Sequence, residues 1–428
     1  MVELMMPDQE TLIIHNASQL LTLAGGPQRG EKCGELGIIE DGAIVVRDGR
    51  ILAVGKSNDL LRTHPEMKRL DAKGQVVMPG FVDPHTHLVW AGDRAEEFTL
   101  RLQGKTYMQI LEAGGGILST VRATRAADQN QLVRQTSERA WQAFNHGTTT
   151  AEVKTGYGLT LETELKQLRA ILALDAEGPL ELVPTFLGAH AVPPEYQGRT
   201  DGYVDLICNE MLPAVHHWWI SEVPGKDFPF VDVFCENGAF NLAQSRQILE
   251  AARALGFPLK IHADEFENLG GASLAAELDA ASADHLVKTS PADIRTLAAS
   301  DTVAVSLPGT PFGLNEKEYT PARKILEANG LLALATDLNP GTSWCESMQF
   351  MLALACRKMD LTPAQAIAAA TINAAAAIQR ADRIGSIEIG KQADLLILTV
   401  NDFRHLGYRY GTNLVSIVVK QGRVFPIR

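Results

Sequence analysis

Between residues 75 and 336 the chain carries eight short apolar runs of β type, most of them separated by helical stretches. The runs are Gln75–Val82, Thr148–Lys154, Leu180–Leu187, Phe230–Cys235, Pro258–Ala263, Ala283–Val287, Thr302–Leu307 and Leu331–Thr336. Segments this evenly apolar are buried on both faces, which is the habit of parallel strands. Parallel neighbours need long crossovers, and Leu161–Ala176, Asn241–Leu255 and Ser290–Ala299 have helical patterns to supply them. The rhythm predicts an α/β chain built on a (β/α)8 barrel of the TIM type. A doubly wound sheet also alternates, but it calls for a Gly-rich phosphate loop after an early strand. Gly114-Gly115-Gly116 is not such a fingerprint, follows no strand and reads as a flexible loop.

The two ends resemble each other and differ from the middle. Residues 42–54 form a hairpin pattern with Asp48-Gly49 at its turn, and residues 416–424 form another with Gln421-Gly422; Asp394–Leu398 is a further strand. Pieces of two or three strands cannot bury a face alone. Both ends are therefore expected to join in one small β-sandwich, residues 1–74 plus 385–428, beside a barrel of residues 75–384.

A formal net charge of -12 argues against a general nucleic-acid binder, though a single arginine can still hold a small anionic substrate. Hydrophobic residues at 46% and charged residues at 21% are ordinary for a folded soluble protein. Five scattered cysteines without a CxxC read as reduced thiols. Glu3, Asp8 and Glu10 come early, with no basic stretch before an apolar one, and the richest apolar run, Leu331–Ala335, is only a strand long. A cytoplasmic protein without signal peptide or membrane span is expected.

Polar residues crowd at the ends of the predicted strands, where barrel enzymes place their chemistry. Asp83-Pro84-His85-Thr86-His87 ends the first. Side chains at i and i+2 share a face, so His85 and His87 converge. His262 ends the fifth strand, His285 lies in the sixth, and Asp337 follows the eighth. One such residue is weak evidence, but several at the same end of a barrel suit a single zinc or iron ion with a water completing its shell.

These residues carry a resemblance. Pro79–His87, His262, His285 and Asp337 look like the metal-dependent amidohydrolase superfamily along the whole chain. His87–Arg94, Lys154–Leu159, Phe186–Tyr196 and His262–Phe266 are similar, within it, to the imidazolonepropionase family of histidine degradation. The resemblance implies one metal ion on His85, His87, His262 and Asp337. It gives Glu265 and His285 acid/base or water-orienting roles, and it puts Arg94, Tyr157, His190, Glu265, Asn339, Gly341 and Thr342 against a small anionic substrate. The implied reaction is hydrolysis of the cyclic amide of 4-imidazolone-5-propanoate to N-formimidoyl-L-glutamate, in a homodimer. The alternative is another mononuclear amidohydrolase such as a nucleobase deaminase, for which an arginine against a carboxylate has no purpose.

Some relatives bridge two metals with a carboxylated lysine ending the fourth strand. Here Phe230–Cys235 has no lysine, Lys154 ends the second strand, and Lys260 is expected to make an ion pair inside the barrel. The remaining conspicuous residues have plainer explanations. His216-His217-Trp218-Trp219 is expected on a helix, where adjacent residues do not share a face. His146 before Gly147 reads as a helix end. His15, His64 and His405 are expected to be structural.

Overall fold

Two eight-stranded sheets organise the computed structural model, which describes residues 11–105, 109 and 115–427. Glu3, Asp8, Glu10 and Gly114, on which expectations were placed, lie outside the described residues. The first strands are β1 (Leu12–Leu21), β2 (Ile38–Arg47), β3 (Arg50–Lys56), β4 (Lys68–Asp71) and β5 (Val77–Pro79). Then come β6 (Phe81–Asp83), β7 (Thr148–Lys154), β8 (Glu181–Ala189) and β9 (Phe230–Cys235). They are followed by β10 (Lys260–Ala263), β11 (Ser282–His285), β12 (Val303–Ser306) and β13 (Leu332–Leu334). The last three are β14 (Leu395–Leu398), β15 (Val415–Lys420) and β16 (Arg423–Pro426).

The terminal strands form one mixed sheet in the order β16-β15-β14-β5-β1-β2-β3, with β4 also on β1. Strand β1 is its fold line: Leu12–His15 pair with β4, and Leu20 pairs with β5. Leu12, Ile14, Leu20 and Ile44 from one end of the chain meet Leu395, Ile397 and Val419 from the other in a single core, as the composite sandwich requires. Both hairpin turns have two residues at positive φ, Asp48 (51°) with Gly49 (73°) and Gln421 (48°) with Gly422 (77°). That is the turn geometry matching strand twist. The two turns touch, since a Cβ on Gly49 would stand 3.0 Å from the Gln421 carbonyl oxygen.

The run Gln75–Val82, read as one barrel strand, is divided between the sheets. Val77–Pro79 pairs with β14 in the terminal sheet, and Phe81–Asp83 starts the barrel beside β7. Gly80 makes the step; a Cβ there would lie 2.3 Å from Thr149 Oγ1. Both sheets bury their part of the run, so hydrophobicity carries no mark of the crossing. The terminal sheet consequently reaches Pro79 rather than stopping at residue 74.

Strands β6 to β13 follow one another in parallel order. Their seam is closed beyond the regular strands: Asp337 N donates to His85 O (3.1 Å), and His87 N donates to Leu338 O (3.0 Å). The sixth run ends at His285 rather than Val287, because His285 (φ 80°) and Leu286 (φ 62°) turn the chain away. The crossover helices start on residues suited to accept orphan N–H groups: Thr160, Asn241 in a capping box with Gln244, and Ser290.

The segment around His216 and the helix end at His146 lie as expected. His216 stacks on Phe228 with ring centres 5.0 Å apart, and Trp219 is buried while His217 is exposed. His146 ends the helix Gln129–Asn145, with Gly147 at φ 99°. His15 lies in β1, His64 ends the helix Ser57–Thr63, and His405 opens the short helix His405–Tyr408. All five cysteines are free. Among the described residues no helix is long and apolar enough to cross a membrane.

Candidate metal centre

The seam that closes the barrel also carries three of the four expected ligands. His85 and His87 leave β6, Asp337 leaves β13, and backbone hydrogen bonds tie the two segments together. Asp83 reinforces the tie by accepting from Thr336 N (3.1 Å) and from the Thr336 hydroxyl. From β10, His262 reaches the same point. His85 Nε2 stands 3.6 Å and His87 Nε2 3.5 Å from Asp337 Oδ1, and His262 Nε2 is 3.4 Å from His87 Nε2. All four residues are buried. Asp337 holds φ at 52°, a strained conformation for a non-glycine residue, and Thr310 donates to its other oxygen. Burial pushes the Asp337 carboxyl up to about 6, with Thr310 pulling the other way.

Beneath the imidazoles lies a layer of charge. His85 Nδ1 is 2.6 Å from Asp284 Oδ2, and His262 Nδ1 is 2.9 Å from Asp232 Oδ2. A carboxylate beside Nδ1 accepts from its N–H, which keeps the proton there and turns a lone pair on Nε2 toward the opposite side. Lys154 Nζ lies 2.8 Å from Glu152 and 2.8 Å from Asp232. Burial disfavours the Lys154 ammonium, but Asp232, Glu152 and Asp284 outweigh it and raise its pKa. A lysine held between carboxylates as an ammonium is a poor candidate for carboxylation. Lys260 makes the interior pairing expected of it, 3.7 Å from Asp284, and also donates to Ser282 Oγ at 2.5 Å.

The remaining expected residues form the wall and mouth. Glu265 Oε2 is 3.6 Å from His285 Nε2. Burial, then the negative charges of Asp337 and Glu236, hold the Glu265 carboxyl well above its usual range. Burial, then His262, keep the His285 imidazole well below its own. His190 stacks on His87 with centres 4.7 Å apart and gives Nδ1 to Gly156 O (3.0 Å). Burial brings its pKa down to about 3. Tyr157 packs 5.8 Å from His87 and 5.3 Å from His190.

Arg94, Gly341 and Thr342 line a cavity of about 420 Å³ with Arg101, Phe98 and Trp344. Arg94 is already paired: Nε and Nη2 both donate to Glu97 Oε2, at 2.9 and 2.8 Å, which leaves the Nη1 side facing Gly341. Asn339 spends its polar atoms on its own loop. It donates to Asp337 O (2.6 Å) and Thr342 Oγ1 (2.9 Å), and it accepts from Gly341 N (2.8 Å) and Thr342 N (2.9 Å). Its place is therefore in shaping the loop, while Gly341 and Thr342 face the cavity.

Asp232, Asp284, Glu152 and Glu97 were not singled out from the sequence. For the first three a trace was present, because a charged residue inside an apolar strand has to be paired. Glu97 had none: Glu96-Glu97 in a first helical turn looks like an ordinary solvated pair.

The donor set fits a cation. Donor atoms of His85, His87 and Asp337 lie within 4.8 Å of one another, as do those of His87, His190 and His262 and those of His85, His262 and His285, and buried His85 Nε2 lacks a hydrogen-bond partner among the described residues. Ligands about 2.1 Å from a metal on a tetrahedron stand about 3.4 Å apart, close to the spacings found. Lone pairs so placed repel one another unless positive charge lies between them. The class this defines is the barrel hydrolase that works through one metal.

Residues 76–424 match the amidohydrolase family, and residues 42–66 match the imidazolonepropionase-like composite domain of bacteria. The chain is 52% identical over 419 residues to imidazolonepropionase of Herpetosiphon aurantiacus, covering 98% of each chain. It is 53% identical over 416 residues to that of Symbiobacterium thermophilum, covering 96% of each. In fold it is similar to guanine deaminase of E. coli (TM-score 0.73, 14% identity, 98% of this chain and 100% of that one). A zinc-bound adenosine deaminase from Xanthomonas campestris is also similar (TM-score 0.70, 19% identity, 98% and 93% covered). The chain belongs to the imidazolonepropionase family of amidohydrolases.

Proposed function

We propose that this chain hydrolyses 4-imidazolone-5-propanoate to N-formimidoyl-L-glutamate, with His85, His87, His262 and Asp337 holding one zinc or iron ion. The observation that carries this reading is identity of about half the residues, along nearly the full length, to relatives that bear that name. The complete donor set at the barrel mouth supports it. When bound, the ion would act as a Lewis acid and make water nucleophilic near neutral pH.

The chain's own residues would do the rest. As a carboxylate Glu265 would take a proton from the attacking water, and the burial that raises its proton affinity would help it hold that proton and return it to the departing ring nitrogen. His285, beside Glu265 and neutral, would donate to the lactam oxygen as charge develops there. Water adds to the carbonyl carbon, the ring C–N bond breaks, and the nitrogen leaves protonated. Arg94, its Nε side anchored on Glu97, would present its Nη1 side to the propionate carboxylate. Tyr157 and His190 would close the wall beside the ring.

Arg94→Met tests the substrate. It should cost roughly ten- to a hundredfold in kcat/KM with imidazolone propionate, the worth of a charge-assisted hydrogen bond. With an analogue bearing a neutral amide in place of the carboxylate, the loss should largely vanish. Equal losses on both would mean that Arg94 only supports the pocket, and a nucleobase deaminase would then become the better reading.

A further inference from the structure

Lys154 lies at the centre of the barrel, completely buried, one carboxylate away from each of two expected ligands. The oxygen of Asp232 that it meets at 2.8 Å is the one 2.9 Å from His262 Nδ1. The oxygen of Asp284 that lies 3.7 Å from it is the one 2.6 Å from His85 Nδ1. His85 leaves β6 and His262 sits in β10, so the two imidazoles share no strand and no neighbour strand. Below them the Lys154 ammonium reaches both carboxylates, whereas Lys260, also 3.7 Å from that Asp284 oxygen, pairs with Asp284 alone.

We propose that Lys154 is a positioning residue for the metal centre, its one ammonium fixing two ligands together: His262 through Asp232 and His85 through Asp284. This rests on the reading of His85 and His262 as ligands.

The argument is electrostatic and geometric. A carboxylate that must accept from a histidine below a metal has a second requirement, a partner for its remaining charge, since a buried anion without one is costly. Lys154 meets that requirement for Asp232 and shares it with Lys260 for Asp284. It stops them from turning away from the imidazoles, and it lets two anions stand near each other under the site. Without it, Asp232 and Asp284 would relax by rotating, and that change releases the Nδ1 anchor. The lone pairs of His85 and His262 would then lose their common aim. Glu152 completes the ammonium's own shell, held in turn by Thr185.

The test is Lys154→Met, with zinc(II) affinity of the purified chain measured by competition against a chromophoric chelator, well below the melting temperature. Affinity should fall by roughly ten- to a hundredfold, the usual consequence of losing a group that orients a metal ligand. Lys260→Met is the control. Lys260 is as buried and stands at the same 3.7 Å from Asp284 Oδ2, but makes no ion pair with Asp232, so its removal should cost less than about tenfold. Equal losses in the two variants would mean that Lys154 only balances interior charge, and parent-like affinity in Lys154→Met would overturn the proposal outright.

Should Lys154→Met fail to fold, Lys154→Met/Glu152→Gln removes the ammonium together with one of its anions, and the same affinity loss is expected. The parent chain gives an answer that needs no variant to fold. With 15N-labelled lysine, the Nζ signal of a solvent-protected ammonium should move when zinc(II) is stripped, and protected signals unmoved by metal would sink the idea. A parent chain that binds no zinc(II) at all would instead remove the ligand reading on which this one rests.

Discussion

Glu265 is a carboxyl kept away from water within reach of a histidine, outside the cluster of metal donors. If its work is proton transfer, Glu265→Gln should retain metal and lose about two to four orders of magnitude in turnover. Metal analysis beside steady-state kinetics checks this, and metal loss would make it a ligand. Gly341 acts more quietly. A Cβ on it would stand 2.3 Å from Arg94 Nη1, so the bare Cα is what lets the guanidinium lie there. The obstruction is the mobile end of a side chain, so Gly341→Ala should move Arg94 rather than the backbone. KM for the carboxylate substrate should rise while metal content and melting temperature stay near the parent's. An unchanged KM would put the substrate's carboxylate elsewhere.

At the scale of elements, the turn into β7 shows how one residue can serve both sheets. Gly147 holds φ at 99°, and a Cβ there would meet Leu396 at 2.9 Å, Val415 at 3.0 Å and Phe81 at 3.1 Å. Gly147→Ala therefore combines backbone strain with overpacking, and it should destabilise the fold by about 1–3 kcal/mol with the folded protein still active. Urea titration followed by assay would show it; full stability would mean the sheets have room to part. That helix end was legible as His146-Gly147, as were both hairpin turns, because positive φ leaves a residue signature. Five of the eight barrel strands lie whole within the expected runs, and β8 and β11 overrun theirs by two residues and one, since parallel strands buried on both faces leave long apolar runs. Gln75–Val82 was misread for the same reason: burial in two different sheets looks like burial in one. The histidines could be found because i and i+2 on a strand share a face. Arg94 and Glu97 pair within one helical turn, but that this turn lines the barrel mouth rather than solvent could not be found, since it depends on where the helix after β6 returns.

Over the whole molecule the question is what keeps the terminal sheet on the barrel. Alternate residues of β14 point to different cores: Leu395 and Ile397 fill the sandwich, while Leu396 and Leu398 join the barrel's apolar mass. Ion pairs reinforce this contact at one point. Lys420, at the end of β15, places Nζ 2.7 Å from Asp394 and 2.9 Å from Glu181, the first residue of β8 in the barrel. Gln392 ties the same two carboxylates with bonds of 2.9 and 2.7 Å. Lys420→Met would leave Asp394, only 3% exposed, without its cation, and breaking a buried pair in this way costs about 3–5 kcal/mol. Lys420→Met/Asp394→Asn should recover part of that, because the anion goes with its partner while Gln421 N keeps an acceptor. The acid side gives a second reading. Burial raises the Glu181 carboxyl, but Lys420 and Gln392 outweigh it and hold the group below its usual pKa. A depressed carboxyl stabilises the fold above its unfolded pKa, and that contribution is lost as pH falls through the folded value. Burial likewise opposes the Lys420 ammonium, while Asp394 and Glu181 raise it, so its share is complete at neutral pH and lost only as pH rises through that raised value. The parent should thus melt at a steady temperature through the neutral range and lose stability toward acid. In Lys420→Met the melting temperature at pH 7 should drop, and its further fall on acidification should shrink, because Glu181 no longer has a cation to lose. A variant that melts with the parent at both pH values would show that Leu396, Leu398 and their neighbours hold the two sheets together without help from charge.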